Sequence, residues 1–131
     1  MQRRAIFSAL LLALFALAAC RTAPIYNPSG VALGAPAGAS LAEVTKAIQQ
    51  AGASLGWEMT EVGPGEVRAR LRNRRHTAEA LVRFDTETFS ISYQSSENLR
   101  HEGDTIHKGY NKWIRTLERR IVLATGLMVT S

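Results

Sequence analysis

The chain has 131 residues and a single cysteine. A lone thiol excludes an internal disulfide framework and any zinc site built from cysteine pairs. Histidine is scarce, at three residues, and aromatics make up only 7%. An arginine-bearing sheet with so few exposed rings lacks the stacking platform of a single-strand nucleic-acid binder. There is no glycine-rich phosphate loop and no serine in a nucleophile elbow. Acidic residues are the minority, 11 against 16 Lys plus Arg, for a net charge of +5. Two of those arginines precede the first apolar run; without them the balance is 14 − 11 = +3. That is well short of the excess carried by nucleic-acid-binding domains, and no nucleic-acid partner is expected. The length fits one domain.

What is present begins with an address. Met1-Gln2-Arg3-Arg4 is a short positive segment, and residues 5–19 run without a charge, rich in Leu and Ala. About 15 residues are too few for a spanning helix, which needs roughly 20. The pattern matches the apolar core of an export signal. It closes on Leu17-Ala18-Ala19-Cys20, which resembles the lipobox of bacterial lipoproteins. The resemblance implies cleavage after residue 19 and a lipid-modified Cys20 (palmitate among the acyl groups), with the membrane reached through that anchor. Arg21 stands where lipoproteins kept in the inner membrane often carry Asp, so the resemblance implies the outer membrane, facing the periplasm.

Residues 21–39 contain Pro24, Pro28 and Pro36, three glycines and no hydrophobic period. The lipidated Cys20 and this stretch (20–39) read as a flexible tether that lifts the domain off the membrane. Nineteen extended residues reach at most about 65 Å.

Ser40-Leu41-Ala42-Glu43 is a capping box, and Leu41, Val44, Ile48 and Ala51 or Leu55 follow at helical spacing, up to Gly56. Four alternating segments come next: 57–62; Val67, Ala69 and Leu71; Ala78, Ala80, Val82 and Phe84; and Phe89, Ile91 and Tyr93. Period two with one apolar face predicts a half-buried antiparallel sheet, and the short connections predict a meander. Pairing Leu71 with Ala78 around Arg74-Arg75 sets Arg70 opposite Glu79 and Glu66 opposite Arg83. A slip of two residues would oppose Arg68 and Arg83 instead. Phe84 should face Phe89, Glu58 should meet Arg70, and Met59 should meet Ala69. Residues 95–104 read as a polar loop. Ile106, Tyr110, Trp113, Ile114, Leu117, Ile121 and Ala124 then mark a second amphipathic helix. The expected fold class is α+β, in the order α-β-β-β-β-α: a four-stranded antiparallel meander with two helices packed on one face. The expected domain spans 40–125, with a tail over 126–131.

The string Ile106-His107-Lys108-Gly109-Tyr110-Asn111-Lys112-Trp113 resembles the I-H-x-x-Y-N-x-W signature of small exported bacterial proteins and lipoproteins of uncharacterised function. Arg75-His76-Thr77-Ala78, residues 89–93 and Asn98-Leu99 resemble the same family's strand segments. The resemblance implies the helix–sheet–helix fold and the envelope location, and it implies no reaction.

Two groups are candidate ligand-binding residues. His107, Tyr110, Asn111 and Trp113 could wall a pocket at the start of the second helix; the competing reading has them capping the helix and packing on the sheet. Arg74 and Arg75 lack an acid partner at a hairpin tip and could begin an anion site. His101, Glu102, Asp104 and His107 carry metal-ligand chemistry. They lack helical i, i+4 spacing and are flanked by Arg100 and Lys108, so no metal and no other cofactor is expected. With Cys20 committed to lipid and no acid pair evident, the sequence points to a non-enzymatic, lipid-anchored interaction or structural module with an envelope-protein partner. The alternative is a small-ligand or anion binder.

Overall fold

The computed structural model describes residues 21–129. The expected signal segment 1–19, Cys20 and the last two residues lie outside the described residues. In chain order the elements are β1 (Thr22–Pro24), β2 (Val31–Ala32), α1 (Leu41–Ser54), β3 (Glu58–Gly63), β4 (Glu66–Asn73), β5 (His76–Phe84), β6 (Thr88–Glu97), β7 (Thr105–His107) and α2 (Lys108–Gly126). The class is α+β. A five-stranded antiparallel sheet runs β2-β6-β5-β4-β3, and β1 pairs with β7 in a separate two-stranded ribbon.

Local chemistry sets the elements. The Ser40 side chain accepts the Glu43 amide at 3.1 Å and starts α1. Gly56, at φ +90°, ends that turn in a conformation other residues resist. Across the sheet, Glu58 faces Arg70, Arg70 faces Glu79, Glu66 faces Arg83, Leu71 faces Ala78 and Phe84 faces Phe89. This register puts Val67, Ala69, Ala78, Ala80, Val82, Phe89 and Ile91 on one dry face. Val44, Ile48 and Ala51 of α1, and Tyr110, Ile114, Leu117 and Ile121 of α2, join the same core. Each Val, Ile, Leu or Phe among these contributes roughly 1.5–3 kcal/mol on burial, and each Ala less. Leu41 stays exposed. Gly52 takes a place in the buried face of α1 because a Cβ there would lie 2.3 Å from the Met59 sulfur, so helix and edge strand meet at this point.

The structure corrects the expected four-strand count, and the reason lies in residues 21–39. This stretch is no solvated tether. Its β2 caps the free edge of β6, with Val31 opposite Phe89. The Leu33 amide donates to the Glu87 carbonyl at 2.8 Å and the Ile91 amide to the Pro28 carbonyl at 2.9 Å. The Tyr93 amide donates to Asn27 Oδ1 at 2.8 Å. Ile25, Tyr26, Val31, Leu33 and Ala35 pack against the core. An edge strand with unpaired amides is costly to leave bare, and this strap supplies the missing acceptors without any hydrophobic period of its own. Gly34 crosses the end of α2, donating its amide to Thr125 Oγ1 at 2.9 Å. A Cβ on Gly34 would sit 2.7 Å from the Gly126 Cα.

Two boundaries also move. β6 continues to Glu97, past the expected start of a loop at residue 95. Its pairing jumps from Ala80–Tyr93 to Glu79–Ser95, leaving Gln94 as a bulge that breaks the alternation. Ile106 belongs to β7 rather than to the helix, because the chain turns only at His107.

Candidate functional site

The strand-to-helix corner is built by His107. Its backbone amide donates to the Leu99 carbonyl at 2.8 Å, fixing the end of β7. Its Nδ1 then accepts the Gly109 amide at 2.9 Å, capping α2. A neutral ring making this bond carries its proton on Nε2. A Cβ on Gly109 would lie 3.0 Å from that nitrogen, so glycine keeps the cap tight.

The helix distributes the four motif residues to different tasks. Asn111 is buried and clamps the strap: its Oδ1 accepts the Tyr26 amide and its Nδ2 donates to the Pro24 carbonyl, both at 2.9 Å. Tyr110 lies in the core, edge-on to Tyr93 at 5.5 Å between ring centroids. Its hydroxyl is buried with no hydrogen-bond partner among the described residues. Burial pushes the Tyr110 phenol above its ordinary range, with the neighbouring Tyr93 adding to the shift. Trp113 is half-buried and walls a cleft of about 360 Å³ with Leu55, Trp57, Leu71 and Asn73. His107, Tyr110 and Asn111 are not among the residues lining it. The motif is therefore dispersed over a cap, a core, a clamp and a cleft wall rather than gathered on one pocket.

Further along α2, the Tyr26 hydroxyl donates to Glu118 Oε1, and the Arg115 guanidinium lies 4.6 Å above the Tyr26 ring. The bond to Glu118 raises the Tyr26 phenol above its usual value, desolvation adds to this, and Arg115 opposes it. This second clasp on the strap was invisible in the sequence, which placed Tyr26 in a linker.

Arg74 and Arg75 are exposed at the β4–β5 tip. Asn98 ties that tip to the segment before β7: its Nδ2 donates to the Arg75 carbonyl at 2.7 Å, and its carbonyl bonds His76 Nδ1 at 2.8 Å. Leu99 leads from there to His107, and the Lys108 amide donates to the Arg21 carbonyl at 3.1 Å. Arg21, Arg100 and Lys108 thereby come to the same end of the domain as Arg74 and Arg75, a grouping the sequence reading missed. The signal for it was the pairing of Asn98 with the tip, which no local pattern reveals.

His101 stacks near Tyr93 at 4.6 Å and its Nε2 bonds the Gly103 carbonyl at 3.0 Å. Among the described residues no three metal-ligating side chains converge. No helix among them is long and apolar enough to cross a membrane. The arrangement gathers cationic side chains at one end, and the cleft beside Trp113 offers apolar walls from Leu55, Trp57 and Leu71 with Arg72 and Asn73 among its polar lining. Comparison with family models, with curated proteins and with solved structures finds no match to this chain.

Proposed function

We propose that the protein is a lipid-anchored envelope module, acylated at Cys20, which faces the periplasm from the outer membrane and works by binding another envelope protein rather than by catalysis. The observation that carries the interaction reading is the C-terminal end of α2. Leu123 is 56% exposed, Leu127 71% and Val129 86%. Leu123 and Leu127 are one helical turn apart, on the same side. Beside them lies an open cleft of about 520 Å³ between the helices, lined by Ala47, Ala124, Leu127, Met128 and Val129, with Glu43, Lys46 and Gln50 of α1 as its polar lining. A contiguous apolar ridge of this kind is what a docking surface presents. A photo-crosslinking residue at Leu127 in intact cells should yield a discrete adduct. The reading fails if Leu127 gives no species beyond those formed from Glu58, which is exposed on the polar face of the sheet.

The cleft beside Trp113 favours a second reading, a small-ligand or anion binder. Its floor is apolar, and Arg72 contributes a cation to the rim. Titration of the domain with phosphates and acidic glycans should then quench or shift tryptophan emission; unchanged emission and unchanged thermal midpoint would exclude it.

A further inference from the structure

We infer that the domain docks flush on the membrane that carries its anchor, through a basic end that engages anionic lipid headgroups. The inference rests on the acylation of Cys20 and goes beyond it, since an anchor alone fixes neither the height nor the orientation of the domain.

The strap supplies the first observation. Arg21 is already bonded to the start of α2, and β1 begins at Thr22. Adjacent Cα atoms are about 3.8 Å apart, so an acyl group on Cys20 enters the bilayer one residue from the folded body. A reach of about 65 Å has been reduced to a single peptide link.

Charge supplies the second. The end that meets Cys20 exposes Arg21, Arg74, Arg75, Arg100 and Lys108. Glu97 ends β6, and Glu102 and Asp104 lie in the segment before β7; none of the three forms an ion pair with these five cations. The far end carries Glu43 at the start of α1, Glu61 and Glu66 at the β3–β4 turn, and Asp85 and Glu87 at the β5–β6 turn. Lys46 and Arg83 lie among them, and Arg83 pairs with Glu66 at 3.4 Å. The 19 residues of α2 separate the two ends by about 28 Å, well beyond a screening length of about 8–10 Å. An anionic surface therefore attracts one end and repels the other, and the attracted end is the anchored one.

Backbone conformation supplies the third. Arg74 (φ 57°), Asn98 (φ 60°) and Arg100 (φ 53°) are left-handed, the only described non-glycine residues that are. Glycine or asparagine fills such positions at least strain. Two of the five cations thus sit where the backbone disfavours arginine, which points to their charge as the reason for their presence.

The test uses the acylated mature chain in vesicles of phosphatidylcholine with about 30% phosphatidylglycerol, with a fluorophore on Glu97→Cys or on Thr86→Cys at the far end. A headgroup-nitroxide lipid should quench the Glu97 probe several-fold more than the Thr86 probe. The difference should shrink in pure phosphatidylcholine, in about 0.5 M salt, and in the triple variant Arg74→Glu, Arg75→Glu, Arg100→Glu. Equal quenching at the two positions refutes docking, and a difference insensitive to lipid charge, salt and the triple variant refutes the headgroup contact. Loss of the difference on adding inorganic phosphate at constant ionic strength would assign the basic end to a soluble anion and overturn the membrane reading. Intact-mass measurement of the same protein separates the premises: an unmodified Cys20 refutes the anchor itself, whereas acylated protein with equal quenching refutes only the docking.

Discussion

Replacing Asn111 separates a structural clamp from a ligand contact. In the folded chain its amide closes a two-bond bracket on the strap, accepting from the Tyr26 amide and donating to the Pro24 carbonyl. Asn111→Ala deletes both bonds and leaves two backbone groups unpaired. A net hydrogen bond contributes about 0.5–1.5 kcal/mol, and an orphaned buried group costs about 1–3 kcal/mol. The loss is bounded above, because the strap can peel away and rehydrate both groups at the expense of exposing Ile25 and Tyr26, which pack against the core. A destabilisation of about 2–4 kcal/mol follows, a large part of the roughly 5–15 kcal/mol that holds a domain of this size. Urea unfolding of the chain from Arg21 onward would show it as a lowered midpoint. Asn111→Asp keeps the acceptor for Tyr26 but turns a carboxylate oxygen toward the Pro24 carbonyl. Burial and that carbonyl raise the folded carboxyl pKa above its unfolded value, so the variant is least impaired below the unfolded pKa. It loses stability as pH rises toward the folded one. An Asn111→Ala midpoint within about 0.5 kcal/mol of the parent would refute the clamp.

Tyr110→Phe should leave stability within about 0.5 kcal/mol or raise it, since the hydroxyl it removes is buried and unbonded; a loss above about 1.5 kcal/mol would reveal a partner for that oxygen. Gly34→Ala should destabilise by about 1–3 kcal/mol, measured by thermal unfolding, because the added methyl meets the Gly126 backbone rather than a movable side chain. Asp85 Oδ1 accepts the Glu87 and Thr88 amides at 2.7 Å, and these bonds hold its carboxyl below the usual range, Thr88 first. The stability it contributes is present above the unfolded pKa and lost as pH falls through the folded one. Asp85→Asn should therefore flatten the acid limb of a plot of urea midpoint against pH; identical limbs would show that the turn does not use the charge.

Much of the sheet was legible in the sequence because alternation and charge pairing act locally. The hairpins at Arg74-Arg75 and at Thr86-Glu87 needed only period two and the cost of opposing like charges, and both registers match. The first helix was legible from Ser40 and the spacing of Val44 and Ile48. The strap was not. Its proline-rich, aperiodic stretch looks identical whether solvated or docked, because its order comes from acceptors offered to the β6 edge and from Asn111, Glu118 and Thr125, residues 85 to 92 positions away. The β6 extension was hidden by the Gln94 bulge. At the candidate site the sequence left a shared pocket and a capping-and-packing role both open; the residues divide among a cap, a core, a clamp and a cleft wall, and the clamp could not be read locally because it depends on where the strap meets α2. Arg21, Arg100 and Lys108 joined Arg74 and Arg75 only through Asn98 and the β7 corner.

The most direct measurement is amide exchange across the mature chain, with the Tyr26, Gly34, Ile91 and Tyr93 amides followed individually. All four are bonded through the strap. If residues 21–39 fold with the domain, these amides will exchange as slowly as those shared between β4 and β5. Rapid exchange at Tyr26, Ile91 and Tyr93 while β4 and β5 remain protected would return the segment to a free tether and remove the basis for a domain seated on its membrane.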